Sequence, residues 1–338
     1  MPESDDGGLA FATPFFTPDA DRWDWIVAGD GKSVRDDGPS FRRGFGTAIG
    51  HHGELLQGVF EDETGRLHRG LVTLPLARLT SRATFKLTGA LALTAFPESK
   101  TKAGLAARLT LDHLDIADGG TLCIESDIPV GHGYGSSTAD VVASIRAVAA
   151  AHNAQLQPSR IGQLAVAAER ASDAIAFDGH AVLFAQREGI VLEDFGGTLP
   201  PLLLVGFKPD GVQPIDTLQL APARYDRLEI QQFRVLRALI ARAVRYQDPD
   251  CLGLAATASA RISQRHLPKQ HFERVLEIAE EAGACGVQVA HSGSLLGILF
   301  DRTGRDLRHR AGRVAASAER SGFRDVEIHQ INDDGAKW

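Results

Sequence analysis

Only three cysteines, Cys123, Cys251 and Cys285, stand in this chain of 338 residues. They are far apart, odd in number and without CxxC spacing, which excludes a disulfide framework and predicts reduced, buried thiols. Apolar runs of membrane-spanning length are lacking, so no membrane partner is expected. The opening MPESDDGGLAFATPFF is acidic where a secretory signal would be basic, and a cytoplasmic location is the expectation. Excess positive charge is lacking as well. The net charge is −7 with Lys and Arg scattered, which excludes a nucleic-acid-binding face but still permits a small anion held by local backbone amides. Internal repeats, coiled-coil heptads and low-complexity tracts are missing too.

What is present is a 43% hydrophobic content, enough for a core in one large domain or two. Residues 1–40 mix Asp, Gly, Pro and aromatics (Phe15, Phe16, Trp23, Trp25) without a period and read as an N-terminal extension. From Phe41 come short strand-like runs, GFGTAIG, ELLQGVF, GLVTLPL, LTSRATFKL and ALALTAF. A helix near Leu105–Leu114, the strand TLCIES, a glycine loop and a helix from Ser136 follow, then the helix RIGQLAVAAERAS and three strands, HAVLFAQ, GIVLEDF and LLLVGF. The Pro-rich GGTLPP near residue 200 separates a region 41–200 from a region 201–338. The second region reads as three helices, two strands around a turn in VQVAHSGSLLGILF, a helix to about Ser321 and a last strand FRDVEIHQ. The class is α+β in two lobes.

Chemistry concentrates in DIPVGHGYGSSTADVVASIRAVAAAH, residues 127–152. Gly131, Gly133 and Gly135 let successive N–H groups point into one concavity and let phosphate oxygens approach closely. The helix opening at Ser136 adds unpaired N–H groups and the positive end of its dipole. Ser136, Ser137 and Thr138 supply hydroxyls for phosphate or Mg²⁺. The spacing is neither GxxxxGK[ST] nor GxGxxG, which demotes a P-loop enzyme and a dinucleotide-binding dehydrogenase. A serine-capped turn would account for the glycines equally well if they stood alone. Downstream, in AAERASDAIAFDGHAVLF, Glu169 and Asp173 stand four apart. A helix persisting through Ser172 would place both on one face, where a bound Mg²⁺ would relieve their repulsion. The competing reading is that Glu169 pairs with Arg170 or Arg146 on a solvated surface.

PVGHGYGSSTAD resembles the second motif of the GHMP kinases (galactokinase, homoserine kinase, mevalonate kinase, phosphomevalonate kinase), with Thr138 where Ala is usual. GTAIGHHGELLQGVF is similar to that family's first motif and GVQVAHSGSLLGILF to its third; the Gly-Glu-Leu-Leu-Gln-Gly and Ala-His-Ser-Gly forms are similar to the L-threonine kinase branch. His51-His52 departs from the small residue and Cys common there. The resemblance implies a two-lobed fold, with an N-terminal ribosomal protein S5 domain 2-like lobe and a C-terminal ferredoxin-like lobe. It also implies a kinase that uses ATP and Mg²⁺ to phosphorylate a small hydroxy amino acid, L-threonine first, with serine and homoserine next. A sugar or isoprenoid alcohol kinase ranks lower, and a non-catalytic nucleotide-binding regulator on the same scaffold is the reading of a different class. Assembly is left open, a homodimer among the options.

By the same resemblance, Pro129, Gly131, Gly133, Tyr134, Gly135, Ser136, Ser137 and Thr138 hold the ATP phosphates. Ser137 and Glu169 become the metal ligands and Asp173 the base, with Asp178 its rival because the family spacing is often longer. His52, Gly53, Glu54, Gln57, His291, Ser292 and Gly293 become the acceptor site, Glu54 binding an ammonium and Gln57 a carboxylate. Asp216-Thr217 is also similar to a threonine-kinase segment, or a turn after Pro214. The first motif lacks the Lys that many members carry, leaving Arg42, Arg43 or the histidines as the cation near the γ-phosphate. None of the histidines, His132 and His180 included, has zinc spacing.

Overall fold

The sequence runs that read as separate strands fuse into two long ones in the computed structural model, which describes residues 42–211, 223–290 and 293–332. The expectations for residues 1–40, Asp216, Thr217, His291 and Ser292 fall outside these ranges. GFGTAIG and ELLQGVF form β1, Arg43–Glu61, paired antiparallel with β2, Leu67–Leu87. Next come β3 (Leu93–Phe96), α1 (Thr101–His113), β4 (Gly120–Ser126), α2 (Ser136–Ala151) and α3 (Pro158–Glu169). β5 (His180–Ala185) and β6 (Ile190–Thr198) form a hairpin that joins β2.

The second half contributes β7 (Leu202–Pro209), α4 (Arg227–Tyr246), α5 (Pro249–Ser263), α6 (Phe272–Glu281), β8 (Gly286–Val289), β9 (Leu296–Asp301), α7 (Leu307–Arg320) and β10 (Phe323–Ile331). Its strands lie in the order β10-β7-β9-β8, each antiparallel to its neighbour, which is the ferredoxin-like arrangement. β8 then pairs with β1 through Glu54 and Val289, so one sheet runs through both lobes. The first motif thus lies at the seam.

Local sequence explains why β1 bends there. Register shifts between Ile49 and Leu56 break its ladder, and Gly53 sits at φ +64°, where a Cβ would strike Gln288 and Ala290. Gly44 and Gly46 serve contact instead of conformation. A Cβ on either would fall 2.1 Å from backbone atoms of α2, so the glycines and the alanines of α2 let helix and strand touch directly. Phe60, Phe85, Leu55, Leu56 and Leu74 complete this core, while Phe207, Phe300, Phe323 and Val275 fill a second between the ferredoxin-like strands and their helices.

No helix among the described residues is long and apolar enough to cross a membrane. The three cysteines are free but half-buried, less enclosed than their spacing suggested.

Candidate active site

The glycine loop joins β4 to α2, and Gly131, Gly133 and Gly135 all adopt positive φ (87°, 105° and 71°). Gly135 is the left-handed residue that opens α2, and no side chain caps the helix. Ala139 N–H is bonded to Gly135 O, which leaves the N–H groups of Ser136, Ser137 and Thr138 for a ligand's oxygens. The other two motifs fasten the loop chiefly through backbone, with one side-chain contact, His132 Nδ1 to Ser294 Oγ at 3.2 Å. Gly53 N–H donates to Gly133 O (3.2 Å), His51 N–H to Tyr134 O (3.0 Å) and Ser294 N–H to His132 O (3.0 Å). A Cβ at Gly293 would lie 2.2 Å from His132 O, so the third-motif turn packs against the loop without room for a side chain.

Glu169 ends α3 and is 5% exposed, which removes the solvated-surface reading. Its two oxygens divide between the hydroxyls of the loop: Ser137 Oγ donates to Oε2 (2.9 Å) and Thr138 Oγ1 to Oε1 (2.8 Å). Burial pushes its carboxyl up to about 7, the Asp173 charge adding to the rise while the Thr138, Ser172 and Ser137 hydroxyls oppose it. The helix does not continue to Asp173. Arg170 takes a left-handed conformation, and Asp173 is an extended residue opening a short 3-10 turn, Ala174–Phe177. The acids nonetheless meet, because Thr138 Oγ1 also lies 3.4 Å from Asp173 Oδ2.

His51 completes the group. Its Nε2 lies 2.9 Å from Asp173 Oδ2 and its Nδ1 3.2 Å from Gly53 O. Both partners only accept, so the ring satisfies them by carrying two protons. Burial pulls the imidazolium down, but the charge and hydrogen bond of Asp173, with Glu54 and the Gly53 carbonyl, outweigh it and hold His51 above its ordinary value. Asp173 mirrors this: burial raises it, and the His51 charge with the His51 and Thr138 hydrogen bonds brings it below its ordinary value. Glu54, 3% exposed, offers a carboxylate oxygen within 4.8 Å of the ligand atoms of both. A hydroxyl presented to Asp173 would therefore sit between the glycine loop, a carboxylate with hard oxygen neighbours and a buried cation.

The description "GHMP kinases N terminal domain" matches residues 100–181, and "GHMP kinases C terminal" matches residues 236–317. The chain carries the N- and C-terminal domains of the GHMP kinases. It is 34% identical over 197 residues to an L-threonine kinase of Salmonella typhimurium, and 35% identical over 190 residues to one of Citrobacter freundii. These alignments cover 57% and 54% of this chain and 63% of each relative's own length. Solved structures share the fold. The homoserine kinase of Cytophaga hutchinsonii superposes with a TM-score of 0.58 at 16% identity, over 92% of this chain and 99% of that one. A phosphomevalonate kinase of Streptococcus pneumoniae in complex with phosphomevalonate and AMPPNP gives 0.61 at 12% identity, over 87% and 100%.

Several residues of this GHMP kinase chain stand elsewhere than sequence reading put them. His52 is 0% exposed; its Nδ1 donates to Gln288 Oε1 (2.8 Å), and burial drives its pKa down to about 3, so it is a neutral core residue instead of an acceptor ligand. The first-motif histidine that meets Asp173 is His51, itself buried. Tyr134 contributes backbone to the loop, but its ring is buried edge-on to His52 at 5.8 Å. The side chain of Gln57 donates to Gln186 (3.3 Å). Asp178 turns to the surface, where Arg146 grips it at 3.0 Å, so it is no rival to Asp173. His180 pairs at the surface with Asp194. Arg42 and Arg43 lie at the start of β1, roughly 25–30 Å along the strand from His51. One residue escaped sequence reading altogether. Lys269, from the loop between α5 and α6, is 8% exposed and donates to the Gly293 carbonyl at 2.5 Å. No motif flags it, because only the fold brings that loop to the third-motif turn.

Proposed function

We propose that this chain is an ATP-dependent, Mg²⁺-requiring kinase of a small hydroxy amino acid, L-threonine first. The observation that carries the reading is the convergence of Ser137, Thr138, Glu169, Asp173 and His51 at the open end of α2. The names of the sequence relatives and the first-motif form support the acceptor class.

Ser137 Oγ and Glu169 Oε2 are hard oxygen donors at a helix N-terminus, and Glu169 carries an unrelieved repulsion with Asp173, a donor set that fits Mg²⁺. When bound, that ion would neutralise charge on the phosphates. The loop amides and the end of α2 hold the phosphate chain and aim its outermost group at Asp173. Asp173 accepts the hydrogen bond of the substrate hydroxyl, orients its oxygen in line and receives its proton as the new O–P bond forms and the bond to the ADP oxygen breaks. His51 keeps Asp173 ionised and lends positive charge beside the transferring group.

Glu169→Gln tests the metal end. It preserves shape and one accepting oxygen, the amide NH₂ donating to the other hydroxyl, but removes the charge, so the Mg²⁺ concentration for half-maximal ADP formation should rise at least about tenfold. An unchanged Mg²⁺ dependence would remove Glu169 from the site.

A further inference from the structure

Lys269 is a buried charge whose hydrogen bonding is incomplete. An ammonium has three donors, and among the described residues the acceptor it reaches is Gly293 O alone, with no carboxylate in ion-pair contact. Burial lowers its pKa to about 8, and the one carboxylate whose field offsets this is Glu54. Such a group is costly unless something completes it. Its place is defined by backbone that has no freedom to move aside. Gly293 packs on His132 and Gly133 of the phosphate loop, Gly133 faces Ala290, and Gly53 faces Ala290 and Gln288, so Lys269 is held where the three motifs interlock. Glu54, also buried, lies within 4.8 Å of the ligand atoms of His51 and Asp173, and its charge acts on both His51 and Lys269.

We propose that Lys269 and Glu54 form a zwitterion clamp, in which Lys269 takes the carboxylate of the acceptor and Glu54 its ammonium; the assignment rests on the kinase reading above. An oxyanion is the shared chemistry that Lys269 can satisfy, and a phosphate oxygen of the nucleotide is the other source. The carboxylate is favoured because the charge beside Lys269 is that of Glu54, which would repel a phosphate and attract an ammonium. Gln57, the sequence-based candidate for the carboxylate, already spends its amide on Gln186. The clamp also restricts the substrate class. A sugar or isoprenoid alcohol offers no zwitterion, so such an acceptor would leave at least one of the two charges, Lys269 or Glu54, unmatched.

The test compares L-threonine with L-threoninamide, which keeps the shape and hydroxyl but loses the carboxylate charge, in the full chain and in Lys269→Met and Lys269→Arg. Thermal denaturation and the KM for ATP serve as checks on folding. In the wild type the amide should lower acceptor kcat/KM by about a hundredfold. In Lys269→Met this ratio should collapse to a few-fold with the KM for ATP unchanged, and Lys269→Arg should keep most of it. Equal losses on both acceptors would show a purely structural lysine and overturn the clamp. A preserved ratio with a raised KM for ATP would overturn it in favour of the phosphate. If neither acceptor is turned over, calorimetric binding of L-threonine separates the two ideas. Binding lost in Lys269→Met upholds the clamp and overturns the kinase reading. Equal binding by wild type and variant, or none by the wild type, overturns the clamp.

Discussion

A protonated imidazole, His51, stands beside Asp173, and this makes the charge there dependent on pH. Because the folded protein holds the His51 pKa above its ordinary value, the imidazolium contributes fully at pH below about 6.5 and is lost as pH rises through the higher folded value. Acceptor-dependent turnover should show an alkaline decline from this loss. In His51→Gln the rate should fall about a hundredfold at neutral pH and that decline should vanish from the pH profile; an unaltered decline would show that another group titrates. Thr138 is the second residue with an individual role. Its hydroxyl was expected to serve phosphate or Mg²⁺; it bonds Glu169 and approaches Asp173. Thr138→Ala should cost about 1–2 kcal/mol, seen as a 5- to 30-fold loss of kcat/KM without loss of fold. Gly135 carries a different lesson. A side chain there would point 2.2 Å from the His51 ring, so Gly135→Val reports on displacement of His51 as much as on blocked phosphate access.

At the scale of elements, strand β1 carries the decisive geometry. Its far end lies flush on α2, and its middle breaks register to turn His51 toward Asp173 and His52 into the core. The flush contact is tested by Gly46→Ala. The added methyl would meet Ala143 O and Ala147 N of α2, and the substitution should destabilise by about 3 kcal/mol in denaturant titration. A loss under about 0.5 kcal/mol would contradict the packing. Helices and strands were legible where period was strong: the starts of α2 and α3 and the strands β5 to β7 follow their patterns closely. The fusion of four runs into β1 and β2 was not, because glycine reads as a breaker locally, and only the partner helix and bulge explain it. The same blindness hid which of two adjacent histidines faces the site. A shifted register decides that, and no side-chain period survives a bulge.

Over the whole molecule, one sheet ties the N-terminal lobe to the ferredoxin-like lobe, and the candidate site lies at their seam. The glycine loop and the two acids were readable because their chemistry is local. Lys269 was not, being separated by more than a hundred residues from Glu54 in sequence and joined to it only by topology. Global charge pointed away from nucleic acid, and the residues that converge at the seam are the ones on which the proposed kinase reading rests. The central claim is that this cluster moves a phosphoryl group to an amino-acid hydroxyl. Phosphorus NMR of the full chain incubated with MgATP and L-threonine tests it most directly, beside Asp173→Asn. The account predicts a phosphate-ester resonance growing in step with ADP in the wild type, and at least about a hundredfold less of it in a variant that still binds MgATP. Nucleotide bound with no ester formed from threonine, serine or homoserine, or undiminished ester in Asp173→Asn, would contradict it.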